Sequence, residues 1–231
     1  YSLMKHLKTY EGIFSKLFGN SICSKYRIRN YTENKDGIID VDGDVDLSSE
    51  GLTELPIKFG KVSGNFSCNN NQLTSLEGCP KEVGGNFDCS YNQLTSLRGG
   101  PEEVGGNFIC SYNQLTSLEG GPKEVVGDFW CNNNQLTTLE GGPKEVGGNF
   151  ICTSNKLITL EGGPKELGGY LSCFNNPIGR VYFLFVYYKE FIASLDYNYL
   201  RGTNIVKSRL KEALEEIGEE LPDKITGYNY I

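Results

Sequence analysis

The chain has 231 residues, of which 38% are hydrophobic, and it carries a formal net charge of −7 from 29 acidic and 22 basic side chains. Its length and apolar content suffice for one or two folded domains, and its most apolar run, Val181–Val186, is far too short to cross a bilayer. Because nucleic-acid partners usually require a basic stripe, which this chain lacks, we expect neither a membrane nor a nucleic acid among its partners.

Residues 1–42 are predicted to form an N-terminal cap, because the regular pattern of the chain starts only after them. Met4–Phe18 has the pattern of an amphipathic helix and lacks the uninterrupted apolar core of a secretory leader. A second helical turn is predicted near Ser21–Tyr26, followed by a hairpin that turns at Asn34–Gly37. These elements are expected to close the first coil of the repeat that follows.

Four aspartates follow the hairpin at alternate positions, in the order Asp40, Asp42, Asp44 and Asp46. The spacing is superficially that of a calcium loop, but the EF-hand pattern requires glycine at the sixth position, where this chain has Val45. Apolar residues alternate with the aspartates, which favours a strand with its acidic side in water and discourages edge-to-edge pairing. We therefore predict no metal site here, with calcium as the weaker alternative.

Residues 43–181 are dominated by an internal repeat with a period of about 21 residues. Four residue types keep their register in successive units: an aromatic residue, a cysteine, an asparagine and a leucine. The aromatic residues are Phe66, Phe87, Phe108, Phe129 and Phe150, with Leu171 last. The cysteines are Cys68, Cys89, Cys110, Cys131, Cys152 and Cys173. The asparagines are Asn71, Asn92, Asn113, Asn134, Asn155 and Asn176, and the leucines are Leu73, Leu94, Leu115, Leu136 and Leu157.

The spacing within each unit predicts how the chain coils. Phenylalanine and cysteine two residues apart point to the same side of a short strand. The asparagine then satisfies backbone groups at a bend, and the following leucines return inward. One unit cannot bury these groups alone, so the units must stack. We predict one parallel sheet of about seven short strands, from Val45, in a degenerate unit that opens near Gly43, to Leu171.

The segment Phe87-x-Cys89-x-x-Asn92-x-Leu94 resembles the central part of the leucine-rich-repeat signature, with phenylalanine and cysteine in place of strand leucines. The short period is similar to that of the bacterial type of this repeat. The fuller repeat phrase resembles uncharacterised leucine-rich-repeat-like proteins of bacteriophage and metagenomic genomes. The resemblance implies a leucine-rich-repeat solenoid with a binding role, and it implies neither a ligand nor catalytic residues.

Residues 182–231 are predicted to form a helical C-terminal cap. Tyr182–Leu195 is strongly apolar and aromatic, and Ile205–Ile217 follows a candidate N-cap at Thr203 and ends at Gly218. These helices are expected to cover the open core of the last coil.

The six in-register cysteines are predicted to be buried, reduced thiols. Equivalent positions of stacked coils form a ladder with a step of about 4.8 Å, which offers no tetrahedral ligand set, and His6 is the only histidine. We therefore expect no metal, no cofactor and no disulfide, and a reducing cytoplasm as the location. Only Cys23, in the cap, and Cys79, in the outer arc, are candidates for exposure.

The sequence offers no nucleophile–base pair, no serine-centred elbow and no phosphate loop, so we do not expect an enzyme. The candidate site is instead a surface. The variable residue between phenylalanine and cysteine points away from the core, which places Ile109, Trp130 and Ile151 side by side on the open face of the sheet. Tyr91 and Tyr112 continue an aromatic margin next to them.

Exposed apolar patches rich in tryptophan and tyrosine mark interaction sites. The alternatives are cross-strand packing that serves stability alone, or contact with a folded-back terminus. We predict a non-catalytic protein–protein interaction module in the cytoplasm of a bacterial or phage-infected cell, with a protein partner on the concave sheet face. The other hypothesis is a structural or virion-associated phage protein that forms homo-oligomers through its caps or edges. Lys8–Phe14 resembles the leader that targets internal proteins into some phage heads, although a capping helix is the favoured interpretation.

Overall fold

In the residues that the structure describes, the chain folds as a β-solenoid with almost no helix. The computed structural model describes residues 22–177 and three short strands at residues 200–201, 204–205 and 229–230. The helices predicted at Met4–Phe18 and Tyr182–Leu195 lie outside these residues. The prediction of a helix that begins at Ile205 is wrong at its first residue, which belongs to a strand, and the rest of that helix also lies outside the described residues.

Eighteen short strands run through the described residues. They are β1 (Tyr31–Glu33), β2 (Ile38–Val41), β3 (Val45–Asp46), β4 (Lys58–Val62), β5 (Phe66–Ser67), β6 (Glu82–Val83), β7 (Phe87–Asp88), β8 (Glu103–Val104), β9 (Phe108–Ile109), β10 (Glu124–Val125), β11 (Phe129–Trp130), β12 (Glu145–Val146), β13 (Phe150–Ile151), β14 (Glu166–Leu167), β15 (Leu171–Ser172), β16 (Leu200–Arg201), β17 (Asn204–Ile205) and β18 (Asn229–Tyr230). The last three form a sheet of their own, and the first fifteen form the solenoid.

Two sheets run along the solenoid. The seven-stranded sheet, in the order β3-β5-β7-β9-β11-β13-β15, is parallel throughout and confirms the predicted stack of Phe-x strands. Phe129 pairs with Phe108 and Phe150, so equivalent residues of neighbouring coils lie side by side. The eight-stranded sheet, β1-β2-β4-β6-β8-β10-β12-β14, was not predicted, and its repeating strand is a Glu-Val pair with valine inside.

Residues 22–42, the described part of the predicted N-terminal cap, contain one helical turn, at residues 22–25, and the predicted hairpin. Strands β1 and β2 pair antiparallel, and the Oδ1 atom of Asn34 accepts hydrogen bonds from the backbone N–H of Asp36, at 2.9 Å, and of Ile38, at 3.1 Å. Strand β2 then pairs with β4, so the hairpin covers one edge of the eight-stranded sheet. No helix in this part of the chain is long and apolar enough to span a bilayer.

The core consists of columns of like residues that run along the solenoid. Five phenylalanines stack with ring centroids 5.1–5.7 Å apart, namely Phe66, Phe87, Phe108, Phe129 and Phe150. Cysteine and leucine columns pack beside them and are fully buried, as predicted. Because each fully buried phenylalanine or leucine side chain stabilises the fold by about 1.5–3 kcal/mol, the stack offsets the ordering of many short coils.

The repeated asparagine connects each coil to its neighbour. The Oδ1 atom of Asn92 accepts a hydrogen bond from Leu73 N at 2.9 Å. Its Nδ2 atom donates to Cys68 O in the preceding coil, at 3.0 Å, and to Cys89 O in its own coil, at 3.2 Å. The same pattern recurs at Asn71, Asn113, Asn134, Asn155 and Asn176. The predicted role of this residue, the satisfaction of buried backbone groups at the bend, is confirmed.

A second polar ladder, which was not predicted, precedes each phenylalanine. The Oδ1 atom of Asn86 accepts a hydrogen bond from Asn107 N at 2.7 Å, and that of Asn107 accepts from Asp128 N, also at 2.7 Å. A Cβ atom on Gly85 would lie 2.6 Å from Asn65 Oδ1, so the preceding glycine leaves room for the ladder. The pair of glycine and asparagine, or glycine and aspartate before Phe129, therefore has a structural role in the stacking of coils.

Candidate functional site

We use the term front face for the outward side of the seven-stranded sheet. Three columns of side chains make it. The first is Asp44, Asn65, Asn86, Asn107, Asp128, Asn149 and Tyr170. The second is Asp46, Ser67, Asp88, Ile109, Trp130, Ile151 and Ser172, and the third is Ser48, Asn69, Ser90, Ser111, Asn132, Thr153 and Phe174. The second and third columns touch: Ser90 Oγ donates to Asp88 Oδ1 at 2.6 Å.

The structure brings the three central residues of the predicted site together. Trp130 pairs in register with Ile109 on one side and Ile151 on the other. Its side chain is 40% exposed, and the two isoleucines are half-buried. Ser67 and Ser172 occupy the same column nearer the ends of the sheet, so the coil itself does not require an apolar residue at this position. The result is an apolar patch with polar residues around it.

Trp130 is held by a carboxylate that the sequence analysis did not identify. Its Nε1 atom donates to Asp128 Oδ2 at 3.3 Å, while Asp128 Oδ1 accepts the ladder hydrogen bond from Asn149 N at 2.6 Å. Most other coils have asparagine in this column, and an asparagine that accepts the ladder bond through Oδ1 has only an N–H group left to face the indole. The aspartate therefore serves both the ladder and the tryptophan.

Tyr91 and Tyr112 stack face to face at the margin of the front face, with ring centroids 4.2 Å apart and an interplanar angle of 8°. They are 52% and 44% exposed. A hydrogen bond with the Tyr112 hydroxyl raises the pKa of Tyr91 above its ordinary value. The predicted margin is thus a paired aromatic wall that projects into solvent.

Both tyrosines have a left-handed backbone, with φ of 53° at Tyr91 and 55° at Tyr112. Smaller polar residues occupy the equivalent position in the other coils, namely Ser49, Asn70, Asn133, Ser154 and Asn175, and asparagine tolerates this conformation better than tyrosine does. A bulky residue in this region costs about 1 kcal/mol or more. Local backbone preference therefore does not explain the two tyrosines.

The coil that contains Trp130 departs from the repeat at three nearby positions. It has Val126 where the neighbouring coils have Gly105 and Gly147, together with Asp128 and Trp130. Val126 is 69% exposed, and its N–H donates to the preceding coil over 3.4 Å, compared with 2.9 Å for each of those glycines. The valine side chain thus lengthens a backbone hydrogen bond between two coils, and it is not buried in return.

The cysteines are all free and buried, including the two that were candidates for exposure. Cys23 and Cys79 are buried, so that part of the prediction is wrong. Cys79 takes the place of Gly100, where an added Cβ would lie 3.0 Å from Leu76 Cδ1, so this position points to the core. Burial raises the pKa of the Cys79 and Cys110 thiols far above the ordinary range and that of Cys173 to about 12. These thiols are protonated at neutral pH.

The aspartate row belongs to the solenoid stack. Asp40 Oδ1 accepts from Lys61 N at 2.8 Å, and Asp44 Oδ1 accepts from Asn65 N at 2.7 Å, in both cases from the next coil. Asp46 instead accepts from its near neighbour Ser48, whose hydrogen bonds lower the pKa of the Asp46 carboxyl. Within residues 22–177 no three histidine, cysteine, aspartate or glutamate side chains lie close enough together to hold a metal ion.

Comparisons of the chain with protein-family models, with curated proteins and with solved structures gave no match.

Proposed function

We propose that this protein is a non-catalytic interaction module that binds a protein partner on its front face. The observation that carries the proposal is Trp130, a large apolar side chain held in place on an outward column that the coil does not require to be apolar. Ile109 and Ile151 widen the patch on both sides, and Tyr91 with Tyr112 adds an aromatic margin. Tryptophan and tyrosine dominate binding hot spots because they offer large rigid surfaces.

The test is a pull-down from lysate of the cells that encode the protein, with wild type beside Trp130→Ala and Gln114→Ala. The partner recovered with wild type is then purified and its affinity measured for each variant. Trp130→Ala is expected to weaken binding by about 2 kcal/mol or more, and Gln114→Ala, an exposed residue outside the front face, leaves it unchanged. Equal binding by all three proteins, with Trp130→Ala strongly destabilised, would assign Trp130 to packing and end the proposal.

We also propose that the solenoid is a divergent leucine-rich repeat from a bacterium or phage, located in the cytoplasm. The strand-then-asparagine order, such as Phe87-x-Cys89 followed by Asn92, supports the first part, although the second sheet of Glu-Val strands is a departure from the expected outer arc. The buried, free thiols support a reducing location.

The second hypothesis is a structural protein that assembles with copies of itself through the sheet edges, and a measurement in solution can test it. Within the described residues, β3 and β15 end the seven-stranded sheet, and edges of this kind can pair with another chain. Size-exclusion chromatography with light scattering should give one monodisperse species for an interaction module. An open-ended polymer would favour the structural role.

A further inference from the structure

The front face and the other sides of the solenoid differ in charge. In residues 43–177 the basic side chains are Lys58, Lys61, Lys81, Arg98, Lys123, Lys144, Lys156 and Lys165. None of them belongs to the three columns of the front face, and three form ion pairs elsewhere, Lys61 with Glu82, Lys81 with Glu102 and Arg98 with Glu119. All the charged residues in the three columns of the front face are aspartates.

Two of those aspartates border the apolar patch. Asp88 pairs in register with Ile109, and Asp128 contacts Trp130. Both are half-buried, and neither forms an ion pair within the part of the chain that the structure describes. A carboxylate that is partly removed from water without a counter-ion is unfavourable, and an incoming cation relieves that cost.

We propose that the partner contacts the front face through a segment in which basic side chains, best of all arginine, flank an apolar residue. This inference rests on the proposed function and names the chemistry of its partner. The apolar residue packs on Trp130 and Ile109, and the guanidinium groups pair with Asp88 and Asp128 through charge-assisted hydrogen bonds. The exposed rings of Tyr112 and Trp130 also attract cations through their faces.

The geometry sets the spacing of the basic residues. Asp88 and Asp128 lie two coils apart, which is about 10 Å along the solenoid at about 4.8 Å per step. The two aspartates also stand in neighbouring columns, about 7 Å apart along the strand direction, so they are about 12 Å apart in all. An extended peptide advances about 3.3 Å per residue and therefore reaches from one aspartate to the other in about three to four residues. The expected motif has two basic residues two to four positions apart with an apolar residue between them.

The test uses the full chain and a displayed library of random 12-residue peptides as the probe. Enriched peptides are synthesised, and their binding is followed through the fluorescence of Trp130, the only tryptophan of the chain. The variants are Trp130→Ala, Asp88→Asn and, as a control on the outer side of the other sheet, Glu145→Gln. For Trp130→Ala, which removes the signal, binding is measured by calorimetry. Asp88→Asn is chosen because an asparagine Oδ1 can still accept the hydrogen bond from Ser90 N.

The expected result is a consensus with the motif above. We expect Asp88→Asn to weaken binding at least about fivefold and Glu145→Gln to leave it unchanged, with affinity falling as salt rises. Enriched peptides that depend on Trp130 but carry no basic residues would overturn this inference and leave the proposed function standing. Peptides that bind Trp130→Ala as well as wild type would overturn both. Both proposals would also be overturned if acrylamide failed to quench the fluorescence of Trp130 in the free protein, because another part of the chain would then cover the front face.

Discussion

Phe129 and Trp130 are consecutive residues of one strand, yet they belong to two regions of different character. Phe129 points into the core, where every coil from the second to the sixth has phenylalanine at that position. Trp130 points to the front face, where the same column holds serine, aspartate, isoleucine and tryptophan in different coils. The constant inner columns hold the coils together, and the variable outer columns are free to differ.

This difference separates the residues that hold the stack together from the residues that the stack leaves free to vary. In the inner columns the repeated residue is explained by its neighbours in the stack. In the outer columns and their margin, most coils have no residue like Trp130 or Tyr112, so the coil does not require either of them, and the backbone even disfavours the tyrosine. The experiments that follow test whether the two regions can be altered independently.

The largest effect on stability is expected from alkaline pH, through the buried thiols of the inner columns. Burial raises the folded-state pKa of the thiols of Cys79, Cys89, Cys110, Cys131, Cys152 and Cys173. In the unfolded chain these thiols ionise near pH 8.5. The stability that they contribute is therefore complete below that pH and is lost as the pH rises, by about 1.4 kcal/mol per pH unit for each thiol.

Denaturant unfolding between pH 7.5 and about 10 measures this loss. The variant Cys131→Ala is the control, and its free energy of unfolding should decline less steeply by the share of one thiol. A free energy that stays level up to pH 10 would show that the thiols are not buried as described.

The next largest effect on the free energy of unfolding is expected at one of the two consecutive residues of β11. Phe129→Ala removes a buried ring that stacks 5.2 Å from Phe108 and 5.1 Å from Phe150, and it should destabilise the protein by about 3–5 kcal/mol. Trp130→Ala should change the free energy of unfolding by less than about 1 kcal/mol. Chemical denaturation of both variants is sufficient. Similar losses at the two positions would break the distinction between core and front face.

A smaller effect is expected at the bend. Asn113→Ala leaves Leu94 N without its acceptor. It also removes one of the two amide donors to Cys89 O and to Cys110 O, which keep those of Asn92 and Asn134, and the change should cost about 1–3 kcal/mol. Its exposed neighbour Gln114 serves as the control, and alanine there should change stability by less than about 0.5 kcal/mol. Equal effects in thermal unfolding would mean that the asparagine ladder contributes little.

The smallest effect on stability belongs to Asp128→Asn. The new amide can still accept the ladder hydrogen bond from Asn149 N, so unfolding should change by less than about 0.5 kcal/mol. The indole of Trp130 loses its acceptor, and its fluorescence anisotropy should fall while quenching by acrylamide increases. An unchanged anisotropy would show that Trp130 is positioned by its isoleucine neighbours instead.

The sequence predicts the seven-stranded sheet because Phe-x-Cys shows the strand alternation and the period aligns the strands. It does not predict the eight-stranded sheet, because a strand such as Glu124–Val125 contributes one inward residue and shows no alternation, whereas Phe129 and Cys131 point inward two residues apart. Their pairing arises only when coils stack. The burial of Cys79 was missed for a similar reason: the position is glycine in most coils, so no repeated side chain reveals that it points inward.

The sequence predicts where the candidate site lies. Side chains alternate along a strand, so an inward Phe129 is enough to put Trp130 on the outward side. Asp128 was overlooked, although its departure from the asparagine column was visible in the sequence. Its contact with the indole depends on a hydrogen bond across the strand, which needs side-chain coordinates. The binding role of the front face stays a prediction.

The strict register between coils also bears on how such a gene can change. Equivalent residues lie about 21 positions apart and pair directly, as Phe108 does with Phe129. An in-frame duplication or loss of one whole unit therefore preserves every pairing on both sides of the junction. Identical segments such as Asn-Gln-Leu-Thr-Ser-Leu, at 92–97 and 113–118, mean that such a change can leave the sequence across the junction unaltered. A lineage could thus lengthen the front face, or bring Ile109 and Trp130 beside different neighbours, in a single genetic event.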